Sequence, residues 1–329
     1  MSTHIATAIA HPNIALIKYW GNRDHKLRIP SNGSISMTLS NLETQTTVSF
    51  DPALDEDRLV INQFFQSETA AERVSSLLDV IRVKAGFSFK AEVISESNFP
   101  LGAGIASSAS GFAALTVAAA AAAKLDLPPS ELSRIARLGS GSASRSIYGG
   151  YVEWKAGTDD LDSFAIQIAD QEYWDLVDMI VIVEKGHKAV GSTSGHKLAE
   201  TSPLQDARVH DADRRLDICR KAILERDFPS LASIVEEDSN IMHAVMMTSK
   251  PQLLYWQPET INIMKSVQGW RMDGMQVCFT IDAGPNVHCL CTPPHQDELN
   301  ALLHRIPGVI EVIHTSPGDA AHIISPESL

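Results

Sequence analysis

Hydrophobic and polar residues alternate through much of the first hundred positions, and a period of two predicts short half-buried strands at 5–9, 34–39, 44–50, 58–61 and 87–95. A helix over about 70–85 interrupts them. From 112 to 123 the alternation gives way to a mostly apolar, alanine-rich run that reads as a buried helix packed close to a sheet. A second helix, 131–138, follows Pro128-Pro-Ser130, where Ser130 is a candidate cap. Strands return at 151–154 and 179–183. Beyond about 188 the pattern changes to helices at 207–226, 229–247 and 258–268, then strands at 276–281 and 287–291. A chain of 329 residues is too long for one core of typical size, so two domains are expected, 1–184 and 185–329, in an α+β architecture.

Between the strand at 87–95 and the apolar helix lies Phe99-Pro-Leu-Gly-Ala-Gly-Ile-Ala-Ser-Ser-Ala-Ser-Gly111. Gly102 and Gly104 allow a tight turn and close approach of a ligand to the backbone. Ser107 and Ser108 fall at the helix start, where unpaired N–H groups and the positive end of the helix dipole favour an anion. The segment reads as a phosphate-binding loop or, more plainly, as a Gly/Ser cap on a core helix. It is no Walker A loop, because the lysine that should follow the last glycine is missing. The facing cation must come from elsewhere.

Composition narrows the ligand. With 27 Lys and Arg against 40 Asp and Glu, the net charge of -13 argues against nucleic acid or an anionic membrane as a bulk partner, so an anionic ligand needs local positive charge. Cys219, Cys278, Cys289 and Cys291 look like reduced, partly buried thiols. In a strand Cys289 and Cys291 share a face and merely pack, and His288 beside them has no matching second half of a zinc site. The N-terminus lacks a basic start followed by an apolar core, and the longest apolar run is too short to span a bilayer, so a cytoplasmic location is expected.

Four further segments carry candidate chemistry. In Asn13-Ile-Ala-Leu-Ile-Lys-Tyr-Trp-Gly-Asn22, Lys18 ends an apolar stretch and must either reach solvent or meet an anion. Gly139-Ser-Gly-Ser-Ala-Ser-Arg-Ser-Ile-Tyr-Gly-Gly150 is a second small-residue loop, either a flexible surface turn or a site where Ser140, Ser142 and Arg145 hold a phosphate or carboxylate. Lys188 to Lys197 is again hydroxyl-rich, with a cation at each end, and could equally be a linker. Thr280-Ile-Asp-Ala-Gly-Pro-Asn286 places Asp282 at a strand-to-turn transition that turn chemistry alone would explain. Together these segments point to phosphoryl transfer from a nucleotide to a small anionic alcohol, with Asp282 as general base.

The loop at 100–109 resembles the Pro-x-x-x-Gly-Leu-x-Ser-Ser-Ala signature of the GHMP kinase superfamily, with Ile105 at the leucine position. The segments around Lys18, Arg145, Ser192-Thr193 and Asp282 resemble the mevalonate diphosphate decarboxylase branch as a set, nearly end to end, with features of a phosphomevalonate decarboxylase-like member. The resemblance implies a ribosomal S5-like N-terminal domain, a GHMP-type α+β C-terminal domain, a cleft between them and a homodimer. It implies ATP and Mg²⁺ at Gly102, Gly104, Ala106, Ser107 and Ser108, with Ser108 beside the metal. Asp282 would face the tertiary hydroxyl of a phosphorylated mevalonate, Lys18 would neutralise the charge passing there, and Arg145 with Asn13 would hold the carboxylate. Tyr19, Asn22, Ser140, Ser142, Ser192, Thr193 and His196 would line the substrate's phosphate end.

Two departures bear on the substrate. Family members that use the diphosphate usually follow Tyr-Trp-Gly with Lys, here Asn22, and the common Gly-Met after the Ser192 loop is Gly195-His196. A charge-assisted contact is worth about 1.5–3 kcal/mol, so a missing cation favours mevalonate 5-phosphate over the 5-diphosphate. Arg23, Lys26, Lys188, Lys197 and a protonated His196 are candidate compensators. A kinase that stops after phosphorylating mevalonate, or a catalytically silent nucleotide-binding module, would keep much of the same sequence.

Overall fold

The computed structural model describes residues 4–66, 68–99, 107–186 and 191–324. Its first sheet has six strands in the order His322–Ile324, His4–Ala10, Thr44–Asp51, Lys90–Ser97, Arg58–Ile61 and Phe64–Phe65. Thr44–Asp51 shows the alternation in full, with Thr44, Thr46, Val48 and Phe50 buried and the residues between them turned away. The buried face meets the helices Glu68–Ala85, Ser107–Ala122 and Pro129–Gly139. Ala113, Ala114 and Ala118 are fully buried, and their small side chains let the central helix lie close on the sheet.

A second sheet, ordered Ala165–Ala169, Tyr151–Trp154, Ser34–Thr38 and Asn13–Ile17, and a third, ordered Val277–Thr280, Val287–Cys291, Val177–Ile182 and Glu311–Thr315, are both antiparallel. The helices Ala212–Glu225 and Phe228–Thr248 lie between them. Leu216, Ile223, Leu231 and Val235 share one core with Ile14, Leu16 and Ile35 of the second sheet and with Ile180, Cys278 and Leu290 of the third. The far face of the third sheet packs on the helices Pro258–Met272 and Gln296–Leu303.

Several expectations need correction. The helix read over 207–226 is two, Gln205–His210 and Ala212–Glu225, divided at Asp211, whose carboxylate accepts from Arg214 at 2.8 Å and from Arg215 at 2.7 Å. The small-residue segment after Gly139 is no flexible turn. Gly141–Ile147 is a 3₁₀ helix, buried at nearly every position and braced where Ser133 Oγ donates to the Ser144 carbonyl at 2.9 Å. All four cysteines are free and buried. Among the described residues no helix is long and apolar enough to cross a membrane.

Candidate active site

Asn13–Ile17 and Val277–Thr280 belong to different sheets but converge where Thr280 Oγ1 approaches the Ala15 carbonyl at 3.4 Å. A register shift between Ala15 and Ile17 ends regular pairing just before Lys18, the kind of irregularity that re-aims a strand's last side chain. Lys18 is 1% exposed, and its Nζ donates to Asp282 Oδ1 at 2.6 Å. The choice left open by the sequence thus resolves: the ammonium meets an anion. Asp282 itself remains 28% exposed.

The backbone of Lys18 is held as firmly as its side chain. Its N–H donates to Asp238 Oδ2 at 2.6 Å, and its carbonyl accepts from Arg208 Nη2 at 2.7 Å and from Asn32 Nδ2 at 3.1 Å. Arg215 Nε in turn donates to Asp238 Oδ1 at 2.7 Å, and its Nη2 donates to the Arg208 carbonyl at 2.7 Å. Charges this deeply buried require such pairing, although Arg208 Nε has no acceptor among the described residues. One turn further along Phe228–Thr248, the His243 imidazole lies 3.3 Å from the Ile281 carbonyl, next to Asp282. Ser239 Oγ accepts from the Ile281 N–H at 3.0 Å. Sequence reading missed Arg208, Arg215, Asp238, Ser239 and His243, none of which stands out among the many polar residues of its helix.

Arg145 sits on the 3₁₀ helix behind this pair, 2% exposed. Its Nε and Nη2 donate to Asn13 Oδ1 at 3.2 and 3.0 Å, and its Nη1 donates to Ser34 Oγ at 2.6 Å. Asn13 Nδ2 is anchored on Ser146 Oγ at 2.8 Å and on the Ser142 carbonyl at 3.1 Å. Burial lowers the guanidinium to about 10 while the charges of Asp282 and Tyr19 oppose it, so Arg145 stays cationic at neutral pH.

The helix Ser107–Ala122 begins at the first of the paired serines. Ser108 Oγ lies 3.1 Å from Ser140 Oγ, which is 3.4 Å from Ser142 Oγ, so two distant loops pool three hydroxyls. Beside them a cavity of about 230 Å³ is lined by Thr44, Thr46, Ser95, Ser107, Phe112 and Arg73, among others. Gly102, Gly104 and Ala106 lie outside the described residues, as do Lys188 and the side chains of Ser192 and Thr193.

Tyr19, Asn22 and His196 form one wall. The Tyr19 hydroxyl donates to Asn22 Oδ1 at 2.6 Å, and its ring stacks on His196 with centroids 4.1 Å apart. Gly141 makes room for that ring, since a Cβ there would stand 2.5 Å from it. A protonated His196 is overturned. Burial, reinforced by Arg28 and Arg208, pushes its imidazole down to about 3, and Nδ1 accepts the Gly21 N–H at 3.0 Å, so the ring is neutral. Arg23 is exposed and spends its guanidinium on carbonyls, including that of Pro30 at 3.1 Å.

A buried amine against a carboxylate, a cationic guanidinium in a polar cradle and a hydroxyl-rich helix start together suit transfer of a phosphoryl group to an anionic alcohol. Comparison with known proteins agrees. Residues 10–165 match the diphosphomevalonate decarboxylase-like N-terminal domain, and residues 178–321 the mevalonate 5-diphosphate decarboxylase C-terminal domain. A diphosphomevalonate decarboxylase of Candida albicans is 38% identical over 317 residues, covering 91% of this chain and 88% of its own. A phosphomevalonate decarboxylase of Haloferax volcanii is 37% identical over 296 residues, covering 89% and 90%. The crystal structure of mevalonate diphosphate decarboxylase from Staphylococcus aureus superposes with a TM-score of 0.93 at 36% identity, covering 98% of this chain and 99% of that one. A complex of MDDEF with MVAPP, AMPPCP and magnesium gives 0.92 at 35% identity, covering 98% and 100%. On fold, length and sequence alike, the chain belongs to the mevalonate diphosphate decarboxylase family of ATP-dependent decarboxylases, within the GHMP kinase superfamily.

Proposed function

We propose that the chain catalyses ATP-dependent decarboxylation of mevalonate 5-phosphate to isopentenyl phosphate, ADP, phosphate and CO₂. Arg145, oriented by Asn13 and Ser34, holds the substrate carboxylate, and Asp282 takes the proton of the tertiary hydroxyl as that oxygen is phosphorylated. Lys18, already 2.6 Å from Asp282, neutralises the charge gathering on the oxygen. Phosphate is a far better leaving group than hydroxide. Its departure leaves an electron-poor tertiary carbon, which the electrons of the carboxylate's C–C bond fill as CO₂ leaves. Holding the remote phosphate fixes both reacting ends at once.

The nucleotide fits the cavity beside Ser107 and Ser108, whose lining combines apolar side chains with hydroxyls and includes Arg73, a residue whose buried Nε has no acceptor among the described residues. Bound Mg²⁺ would neutralise charge on the transferring phosphate, with the Ser108 hydroxyl as its protein contact and the phosphates supplying most ligands. A division near residue 184 and a homodimer belong to the same reading.

The uncharged wall carries the choice of the monophosphate. Asn22 and a neutral His196 offer no fixed cation, and the pocket behind them is lined by Glu200 and Asp206 as well as Arg23 and His25. A second phosphate pointing there would meet two carboxylates. The diphosphate is the second reading, favoured by the activity for which most of the relatives are named. Purified protein with ATP and Mg²⁺ is offered mevalonate, its 5-phosphate and its 5-diphosphate separately, with ADP and CO₂ measured together. Equal ADP and CO₂, fastest from the monophosphate, is expected. Faster turnover of the diphosphate overturns the substrate choice, and ADP without CO₂ overturns decarboxylation.

A further inference from the structure

Two neighbouring arginines, Arg28 and Arg73, have no carboxylate partner among the described residues. Arg28 lies in the hairpin joining Asn22–Asp24 to Ile29–Pro30, with a left-handed φ of 53° that a non-glycine residue holds only under constraint from its surroundings. Its Nε donates to the Leu138 carbonyl at 3.0 Å. The next carbonyl along, Gly139, accepts from Arg73 Nη2 at 2.8 Å, and the residue after that is Ser140 of the hydroxyl cluster. Two guanidinium groups are therefore fastened to consecutive carbonyls at the end of Pro129–Gly139, beside three serine hydroxyls.

Capping a helix C-terminus explains one cation and one nitrogen. It leaves Arg28 Nη1 and Nη2 with no protein acceptor among the described residues. Arg134, Arg137, Arg214, Arg215, Arg220 and Arg271 pair with carboxylates, and the buried Arg145 and Arg208 fill their terminal nitrogens with neutral acceptors, whereas Arg28 has neither at Nη1 and Nη2 among the described residues. In a chain with 40 acidic residues against 27 basic ones, two adjacent half-buried arginines left in mutual repulsion mark a place for an anion. Burial and the charge of Arg28 together lower Arg73, and Arg28 is the foremost charge acting on both Tyr19 and His196. Arg73 lines the nucleotide cavity, and Arg28, bonded to the Leu138 carbonyl two residues before Ser140, lends its charge to Tyr19.

We propose that Arg28 receives the substrate's single terminal phosphate, together with the hydroxyls of Ser140 and Ser142, leaving the Asn22 and His196 wall without a cation for a second one. This rests on the substrate reading above in taking that phosphate to be the monoester of mevalonate 5-phosphate. A planar fork already tethered through Nε presents its two terminal nitrogens to one phosphate with little further loss of freedom.

The test compares wild type with Arg28→Gln and Arg28→Lys. KM and kcat are measured for mevalonate 5-phosphate and 5-diphosphate, KM for ATP, and the affinity of unphosphorylated mevalonate as a competitive inhibitor. Arg28→Gln should raise KM for the 5-phosphate roughly ten- to a hundredfold, with kcat, KM for ATP and mevalonate affinity nearly unchanged. Arg28→Lys, which keeps the charge without the fork, should fall between, and serves as the test should the glutamine variant fail to fold. An increase in KM for ATP instead, a fall in kcat at constant KM, or equal weakening of mevalonate and its phosphate overturns the proposal. Faster turnover of the diphosphate by wild type overturns only the substrate reading; Arg28 is then judged on the change in diphosphate affinity relative to mevalonate.

Discussion

Asp282→Asn exchanges a carboxylate for an amide of the same shape and leaves Lys18 buried against a neutral group. Removing one partner of a fully buried pair costs about 3–5 kcal/mol, and an exposed pair contributes about 0–1. With Lys18 at 1% and Asp282 at 28% exposure, the loss falls between those limits, at about 2 kcal/mol. Unfolding entropy of about 2.1 cal/mol/K per residue over 329 residues converts this to a fall in Tm of about 3 °C, so the variant stays folded. Its chemistry fares worse. Loss of a positioned base costs about 10²–10⁴-fold, and the charge partner of Lys18 goes with it. Single-turnover assays that follow ADP and CO₂ should show both falling together by at least about 10²-fold, with ATP affinity measured by calorimetry unchanged. In Lys18→Met with Asp282→Asn, the combined loss should be no larger than that of the worse single variant, because the two groups act as one unit. Near-normal turnover in Asp282→Asn, or strictly additive losses in the double variant, would refute the reasoning.

Asp238→Asn tests the buried clamp on the Lys18 backbone. It should lower Tm by about 4–7 °C, and in the folded protein reduce kcat by about 10–100-fold without changing KM for ATP. Full kcat in a folded variant would make the clamp a matter of stability alone. His243 supplies a pH test: burial, and next the charge of Lys18, hold its imidazole down at about 4, below the ordinary 6.5. The unfolded chain therefore binds a proton that the folded one refuses. Stability is intact above pH 6.5 and declines as pH falls toward 4, by about 3 kcal/mol for this residue, with His196 acting in the same direction. Urea unfolding of His243→Gln at pH 7 and 4.5 should show a shallower decline than wild type; equal declines would count against that proton.

Much of this was legible because the relevant residues announce themselves locally. Alternation at 44–50 marks a strand covered on one side only, and the alanine run after Gly111 marks a helix pressed against a sheet. Asn13–Ile17 carries no alternation, because both of its faces are covered and all five residues are buried. The break at Asp211 is equally silent, since helical periodicity continues through it. Asp282 and Lys18 stand 264 positions apart, and nothing in their spacing brings them together; only resemblance made them partners before the fold did. The clamp was hidden for a different reason: Arg208, Arg215 and Asp238 sit on helices rich in charge, where such residues ordinarily face water.

The strand His322–Ile324 lies along the outer edge of His4–Ala10, pairing Ile324 with Thr7. The last described strand is thus buckled onto the first like a belt, and severing the chain near residue 184 would not yield two free-standing pieces. The leading fragment would bare an unpaired strand edge, ready to recruit stray chains, together with the oily surface of Ile14, Leu16 and Ile35.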